Sequence, residues 1–216
     1  MEKLIIGSRG SKLALKYAEI AKKALLKELD IEIEIKKITT GGDLVLDRRT
    51  SEIGGKGEFI KNIEKELLNK NIDVAVHSLK DVPSVKTKGL RIECFLKRND
   101  PQEVLINKES LTFDKIKKNS VIGTSSLRRE FQLKHLRPDL NFKLIRGNID
   151  TRIKKLDEDQ YDSIILAKAG LMSLALENRI SEVFECKKIV PPAGQGTIVI
   201  QSREDDDKLN NILSKI

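Results

Sequence analysis

The sequence predicts an α/β protein with mixed, mostly parallel sheets. Three observations carry this. Short apolar runs alternate with amphipathic stretches along the chain. Most of the apolar runs have strand length and are bounded by Gly, Ser, Thr, Asn or Asp. Polar and Gly-rich groups collect just after these runs, where open α/β sheets present ligands.

The elements follow in order. Lys3–Gly7 reads as a short strand and Ser11–Leu29 as a helix, because Ala14, Ala18, Ala21 and Leu25 recur at three- and four-residue steps. Ser8 or Ser11 can cap that helix. Ile31–Thr39 alternates apolar Ile31, Ile33 and Ile35 with charged Glu32, Glu34 and Lys36, as a half-buried strand does. Thr40–Gly57, bracketed by glycines, reads as a loop. Glu58–Asn69 reads as a helix with Phe59, Ile60, Ile63 and Leu67 inward, followed by strands Ile72–Val76 and Leu90–Leu96. Arg98-Asn99-Asp100-Pro101 marks a turn or crossing, after which the pattern restarts. Strands are expected at Val121–Gly123, Asn141–Ile145, Ser163–Ala167 and Thr197–Gln201. Helices are expected at Ser126–Leu136, Asp150–Leu156 and Asp205–Ile216, with helical pieces at Ala169–Leu176 and Ile180–Phe184. Ser78-Leu79-Lys80 and Ser126-Leu127-Arg128 echo each other, each at the end of a strand.

The chain has 216 residues, 39% hydrophobic and 34% charged, enough apolar material for a core. No apolar run approaches about 18 residues, so no membrane partner is expected. The start has too short an apolar stretch for a signal peptide, and the end is not a peroxisomal address. Cys94 and Cys186 lack metal-ligand spacing, so no metal is expected and a reducing cytoplasm is the default. Cys94, in Glu93-Cys94-Phe95-Leu96, reads as core. The net charge of +8 invites nucleic acid or a carboxylate- or phosphate-rich ligand. Aromatics are only 4%, with no Trp, and no nucleic-acid signature is present, so nucleic acid is not an expected partner.

The charge is concentrated. Val121–Lys155 holds nine Lys and Arg against three Asp and Glu. Glycines and hydroxyls there serve turns and helix caps, and the arginines can form a solvated face. Taken together at strand ends, with helix N-termini and guanidinium forks, they read as an anion-binding site. Asp81 stands alone among cations. It either pairs with Lys80 or caps a helix, or it stabilises a developing positive charge and moves a proton. His77 reads as support for its strand end.

Gly54-Gly55-Lys56-Gly57-Glu58-Phe59, Ala75-Val76-His77-Ser78-Leu79-Lys80-Asp81-Val82-Pro83, Gly123-Thr124-Ser125-Ser126-Leu127-Arg128-Arg129 and Arg146-Gly147-Asn148 together resemble the hydroxymethylbilane synthase, or porphobilinogen deaminase, family. So do Ser8-Arg9-Gly10-Ser11-Lys12-Leu13-Ala14 and Pro192-Ala193-Gly194-Gln195-Gly196, in the family's order along the whole chain. The resemblance implies head-to-tail joining of four porphobilinogens with loss of ammonia, in tetrapyrrole synthesis, primed by a dipyrromethane cofactor. By the same resemblance Asp81 is the catalytic carboxylate. Ser78, Lys80, Thr124, Ser126, Arg128, Arg129, Arg146 and Gln195 bind the cofactor. Arg9, Ser11 and Arg152 bind substrate, and Lys56 lies in a loop covering the active site. The implied architecture is two lobes resembling type II periplasmic binding proteins, with a cleft between them. Lobe one is 1–97 plus 196–216 and lobe two is 98–195.

Two departures accompany the resemblance. The family's third domain, whose cysteine holds the cofactor, is not in this sequence, and neither Cys94 nor Cys186 matches the attachment position. Ser173 stands where the family often has an Arg, keeping a hydrogen bond but losing the charge. The expected form is a monomer; the alternative is a two-lobe binding module that needs a separate third-domain chain. A gel-shift assay at about 100 mM salt is expected to show no retardation of DNA or RNA, whereas electrostatic nucleic-acid binding would persist there.

Overall fold

The computed structural model describes residues 3–40, 57 and 60–216. They fall into two compact units, each built on its own five-stranded sheet. The first holds the described residues through Asn99 and then Gly196–Ile216; the second holds Asp100–Gln195. Most of the expected loop, with Lys56, lies outside the described residues, as do Glu58 and Phe59 at the start of the expected helix.

In the first unit, β1 (Lys3–Arg9) leads into α1 (Lys12–Leu25) and β2 (Glu32–Ile38). Then come α2 (Lys61–Leu68), β3 (Val74–Ser78) and β4 (Leu90–Phe95). The chain's last strand, later labelled β10 (Ile198–Arg203), returns to this sheet, and the final helix (Asp207–Leu213) follows it. The sheet order is β2-β1-β3-β10-β4, and only β10 runs against the rest. Ala18, Ala21 and Leu25 of α1 pack with Leu4, Ile6, Val74 and Val76 on one face. Ile63 and Leu67 of α2 pack with Ile38, Ile72, Ala75 and Leu90 on the other. Cys94 is buried in the first of these clusters, as its apolar neighbours predict.

The second unit repeats the plan. β5 (Glu103–Ile106) is followed by β6 (Val121–Gly123), α3 (Leu127–Leu136), β7 (Asn141–Lys143) and α4 (Ile149–Asp157). Then come β8 (Ser163–Ala167), α5 (Lys168–Ser173) and β9 (Glu182–Phe184). The order is β7-β6-β8-β5-β9, again with a single reversed strand, β5. β8 is apolar without alternation because both its faces are covered. Ile164 and Leu166 join one core cluster and Ile165 the other.

Three sequence expectations change. Glu103–Ile106 is a strand that Asp100-Pro101 and the leading glutamate conceal in the sequence; all four residues are buried. Ile180–Phe184 is not helical. Its residues Glu182–Phe184 form β9, because Val183 and Phe184 are good strand formers and β5 offers an edge to pair with. The echo also changes partners. Ser126 follows β6, the topological counterpart of β1, so its equivalent is Ser11 and not Ser78. Both serines cap the helix that follows: Ser11 Oγ accepts from Ala14 N–H at 3.2 Å and Ser126 Oγ from Arg129 N–H at 3.4 Å.

Among the described residues no helix is long and apolar enough to cross a membrane. The reversed strand of the first sheet is anchored by Arg203, which is buried. Its Nη1 donates to the carbonyls of Leu67 and Ile72 at 3.1 and 2.8 Å, closing the C-terminus of α2. Its Nη2 lies 3.3 Å from Asp206. Arg203→Ala is expected to destabilise the fold by about 2–4 kcal/mol, since buried carbonyls lose their donors. Urea unfolding checks this as a lower midpoint at unchanged slope.

Candidate functional site

In the first unit two neighbouring strands end side by side. Arg9 closes β1 and Ser78 closes β3. From β1 the chain turns through Gly10 to Ser11, the N-cap of α1. From β3 it enters a single 3₁₀ turn, Leu79–Asp81. Leu79 N–H donates to the Thr197 carbonyl at 3.0 Å, which ties the turn to the start of β10. Arg9, Ser11, Ser78, Lys80 and Asp81 are all half-buried. Among the described residues no hydrogen bond or ion pair engages the Asp81 carboxylate. It neither pairs with Lys80 nor caps a helix, so both carboxylate oxygens keep their acceptor capacity.

His77 lies just before this turn and is buried. Gln201 Nε2 donates to Glu64 Oε1 at 2.8 Å, so its Oε1 accepts from His77 Nε2–H at 2.9 Å. Glu64 Oε2 in turn accepts from Thr87 Oγ1 at 2.8 Å. Burial pushes the His77 pKa below its usual 6.5, outweighing Gln201, Glu64 and Asp81, which favour the charged ring. The neutral imidazole supports the end of β3, as expected from its place in the sequence.

In the second unit the groups gather around β6, β8 and β5. Gly123 ends β6 in a place with no room for a side chain: a Cβ would stand 2.9 Å from Tyr161 Cδ1. Thr124 is buried, and its Oγ1 accepts from Ser126 N–H at 3.2 Å. Ser126 then starts α3, whose free N–H groups are an anion-binding feature. Gly147 follows β7 at a φ of +110°, where a Cβ would also meet Thr151 at 2.7 Å. Its carbonyl accepts from Arg152 Nε at 2.8 Å, which folds Arg152 back over the start of α4. Arg146 is buried beside this loop, and Gln195 is buried with its Nε2 on the Pro101 carbonyl at 2.6 Å.

Glu103 is the residue that the sequence reading missed. It heads β5, is fully buried, and sits between Arg128 and Arg129. Arg129 Nη2 lies 2.7 Å from Glu103 Oε2, and Arg128 Nη2 donates to Oε1. Arg129 Nη1 donates to the Ile165 carbonyl at 3.0 Å. Burial pushes the Glu103 pKa up, but Arg129 and Arg128 outweigh it and hold the carboxyl below the usual 4.5. The available signal was an acidic residue leading an otherwise apolar run, Glu103-Val104-Leu105-Ile106, in a chain with an unexplained pair of arginines.

Two further expectations are refined. Ser173 Oγ donates to the Ala169 carbonyl at 2.8 Å, so its proton serves its own helix rather than a ligand. Burial pushes the Cys94 thiol up to about 11, so it is protonated at neutral pH and a poor nucleophile. Cys186 is exposed.

The family described as porphobilinogen deaminase, dipyromethane cofactor binding domain, matches residues 4–211. Porphobilinogen deaminase of Bacillus thuringiensis (strain Al Hakam) is 48% identical over 218 residues, covering 100% of this chain and 71% of that protein. The Oceanobacillus iheyensis porphobilinogen deaminase is also 48% identical, over 221 residues, with the same coverage. Among solved structures, an ancestral cationic amino acid solute binding protein aligns with a TM-score of 0.61 at 15% identity, covering 99% of this chain and 87% of that one. A Salmonella typhimurium periplasmic binding protein described as having high arginine specificity aligns with a TM-score of 0.56 at 13% identity, covering 100% and 91%. These structures share the two-lobe α/β fold.

The His77 environment predicts a pH dependence. A folded-state pKa below 6.5 means that the unfolded chain binds the extra proton first. The contribution of His77 is therefore complete above about pH 6.5 and falls as the pH drops toward its folded value, by at most about 1.4 kcal/mol per pH unit. His77→Gln is expected to flatten the change in urea midpoint between about pH 7.5 and 5.5. An unchanged slope in the variant would rule this out.

Proposed function

The chain belongs to the porphobilinogen deaminase family, and on that premise we propose that it joins four porphobilinogens head to tail, releasing ammonia from each, to give linear hydroxymethylbilane in the cytoplasm. The observation that carries this reading is the Asp81 carboxylate, half-buried in a short turn at the end of β3 and without a protein partner among the described residues. A carboxylate so placed is suited to a cationic partner that arrives with the substrate.

In this reading, ammonia leaves as the aminomethyl C–N bond breaks, and positive charge spreads onto the pyrrole nitrogen. Asp81 stabilises that charge through the pyrrole N–H and takes the proton released after the new C–C bond forms. Arg9 and Ser11, with Arg152, hold the acetate and propionate of the incoming pyrrole. Ser78, Lys80, Thr124, Ser126, Arg128, Arg129, Arg146 and Gln195 form the cofactor side. The donor set there fits a dipyrromethane, whose four carboxylates call for guanidinium forks and helix N–H groups rather than a metal. When bound, that cofactor supplies the first acceptor pyrrole.

A second reading is favoured by Cys94, whose buried, protonated thiol is a poor attachment point. In that reading the two units bind pyrrole carboxylates without turning porphobilinogen over by themselves. The two are separated by incubating the chain with porphobilinogen and following ammonia and bilane together. Ammonia release with bilane formation is expected. Calorimetric binding without ammonia release would select the module. Asp81→Asn is expected to lower turnover by about 10²–10³-fold, the scale of deleting one key stabilising group, with unchanged thermal unfolding. A fully active, folded Asn variant would refute the role of Asp81.

A further inference from the structure

Adjacent arginines of like sequence have unlike surroundings in the second unit. The Arg129 side chain is 8% exposed and that of Arg128 is 28% exposed, while Glu103 is 0% exposed. Arg129 Nη1 and Nη2 are taken by the Ile165 carbonyl and Glu103, and its buried Nε has no hydrogen-bond partner among the described residues. Among the described residues, Arg128 keeps its Nε–H and one N–H on each terminal nitrogen, beyond its bonds to the Val190 carbonyl and Glu103.

We propose that Glu103 is a positioning residue: its carboxylate, anchored from behind by buried Arg129, holds the Arg128 guanidinium with its unused donors turned to the ligand. The three side chains then carry one net positive charge, presented by Arg128, so the triad takes one ligand carboxylate and not two. Arg129 supports Glu103 from behind, with both terminal nitrogens of its guanidinium already engaged by the protein. The direct effect of Glu103 on an anion is repulsive, so its benefit comes only through orientation. That gives the idea a signed test.

The ligand side rests on the function proposed above, while the positioning itself is measurable without ligand. In Arg-labelled ¹⁵N spectra of the wild-type chain, Arg128 is expected to show two resolved Nη signals, the mark of restricted guanidinium rotation. In Glu103→Gln they are expected to merge. Retained splitting in that variant would overturn the proposal.

Calorimetry with a free dipyrromethane carrying its acetate and propionate groups then reads the consequence. Glu103→Gln is expected to raise the dissociation constant about tenfold or more, the scale of one lost charged hydrogen bond. An unchanged constant would make the role of Glu103 structural only. A tighter constant would make Glu103 a competitor for Arg128. Either result overturns the proposal. A wild-type chain that binds no dipyrromethane removes the cofactor side of the proposed function, and the spectra still decide the positioning. Should Glu103→Gln not fold, Glu103→Asp keeps the charge but is one methylene shorter. It is expected to stay on Arg129, release Arg128 and give the same merged signals and weaker binding; an Asp variant with wild-type spectra would overturn the proposal.

Discussion

A buried carboxylate with two guanidinium partners sets the order of the second unit. Glu103 is fully inaccessible, and an isolated ion there would carry a large desolvation penalty. Arg129 and Arg128 remove most of it, and Ile165 on β8 takes a further Arg129 donor. One cluster thus joins the start of reversed strand β5, the middle of β8 and the first turn of α3. Breaking such a cluster leaves uncompensated charge, which is why its members act as a unit rather than as separate contacts.

The two sheets solve one topological problem in the same way. Each has three parallel strands, one reversed strand and an outer strand that runs with the first three. In the first sheet the reversed strand comes from the chain's late return, and in the second it opens the unit. Both reversed strands carry a buried charged residue at an end, Arg203 in β10 and Glu103 in β5. Arg203 closes carbonyls at the base of α2, whereas Glu103 gathers arginines at the polar end of its sheet. The two buried ions thus lie at opposite ends of their reversed strands, Arg203 at the last residue of β10 and Glu103 at the first of β5.

Polar groups that look alike in sequence divide by what they bond to. Ser11 and Ser126 hold helix N-termini, and Ser173 bonds back to its own helix. His77 completes a chain through Gln201 and Glu64 to Thr87. Asp81 differs from all of these: among the described residues its carboxylate has no partner, while backbone bonds run from Leu79 N–H to Thr197 and from Val82 N–H to Leu79. The carboxylate is not needed to build the turn that carries it.

Periodicity and punctuation in the sequence by themselves determined the α/β class, the alternation of most strands and helices, and the gathering of polar groups at strand ends. These are local properties: a 3.6-residue or two-residue repeat and a glycine after a strand are readable wherever they occur. Motif order carried the family and, through it, the assignment of Asp81. Only the tertiary structure decided that Ile180–Phe184 ends in a strand, because β5 provides the edge it pairs with. Only the tertiary structure paired Ser126 with Ser11 rather than Ser78, because equivalence follows sheet order and not likeness of short words. And only it distinguished Arg128 from Arg129. Their difference comes from Glu103, about 25 residues earlier in the chain, and a buried charge pair forms through space, where sequence spacing has no say.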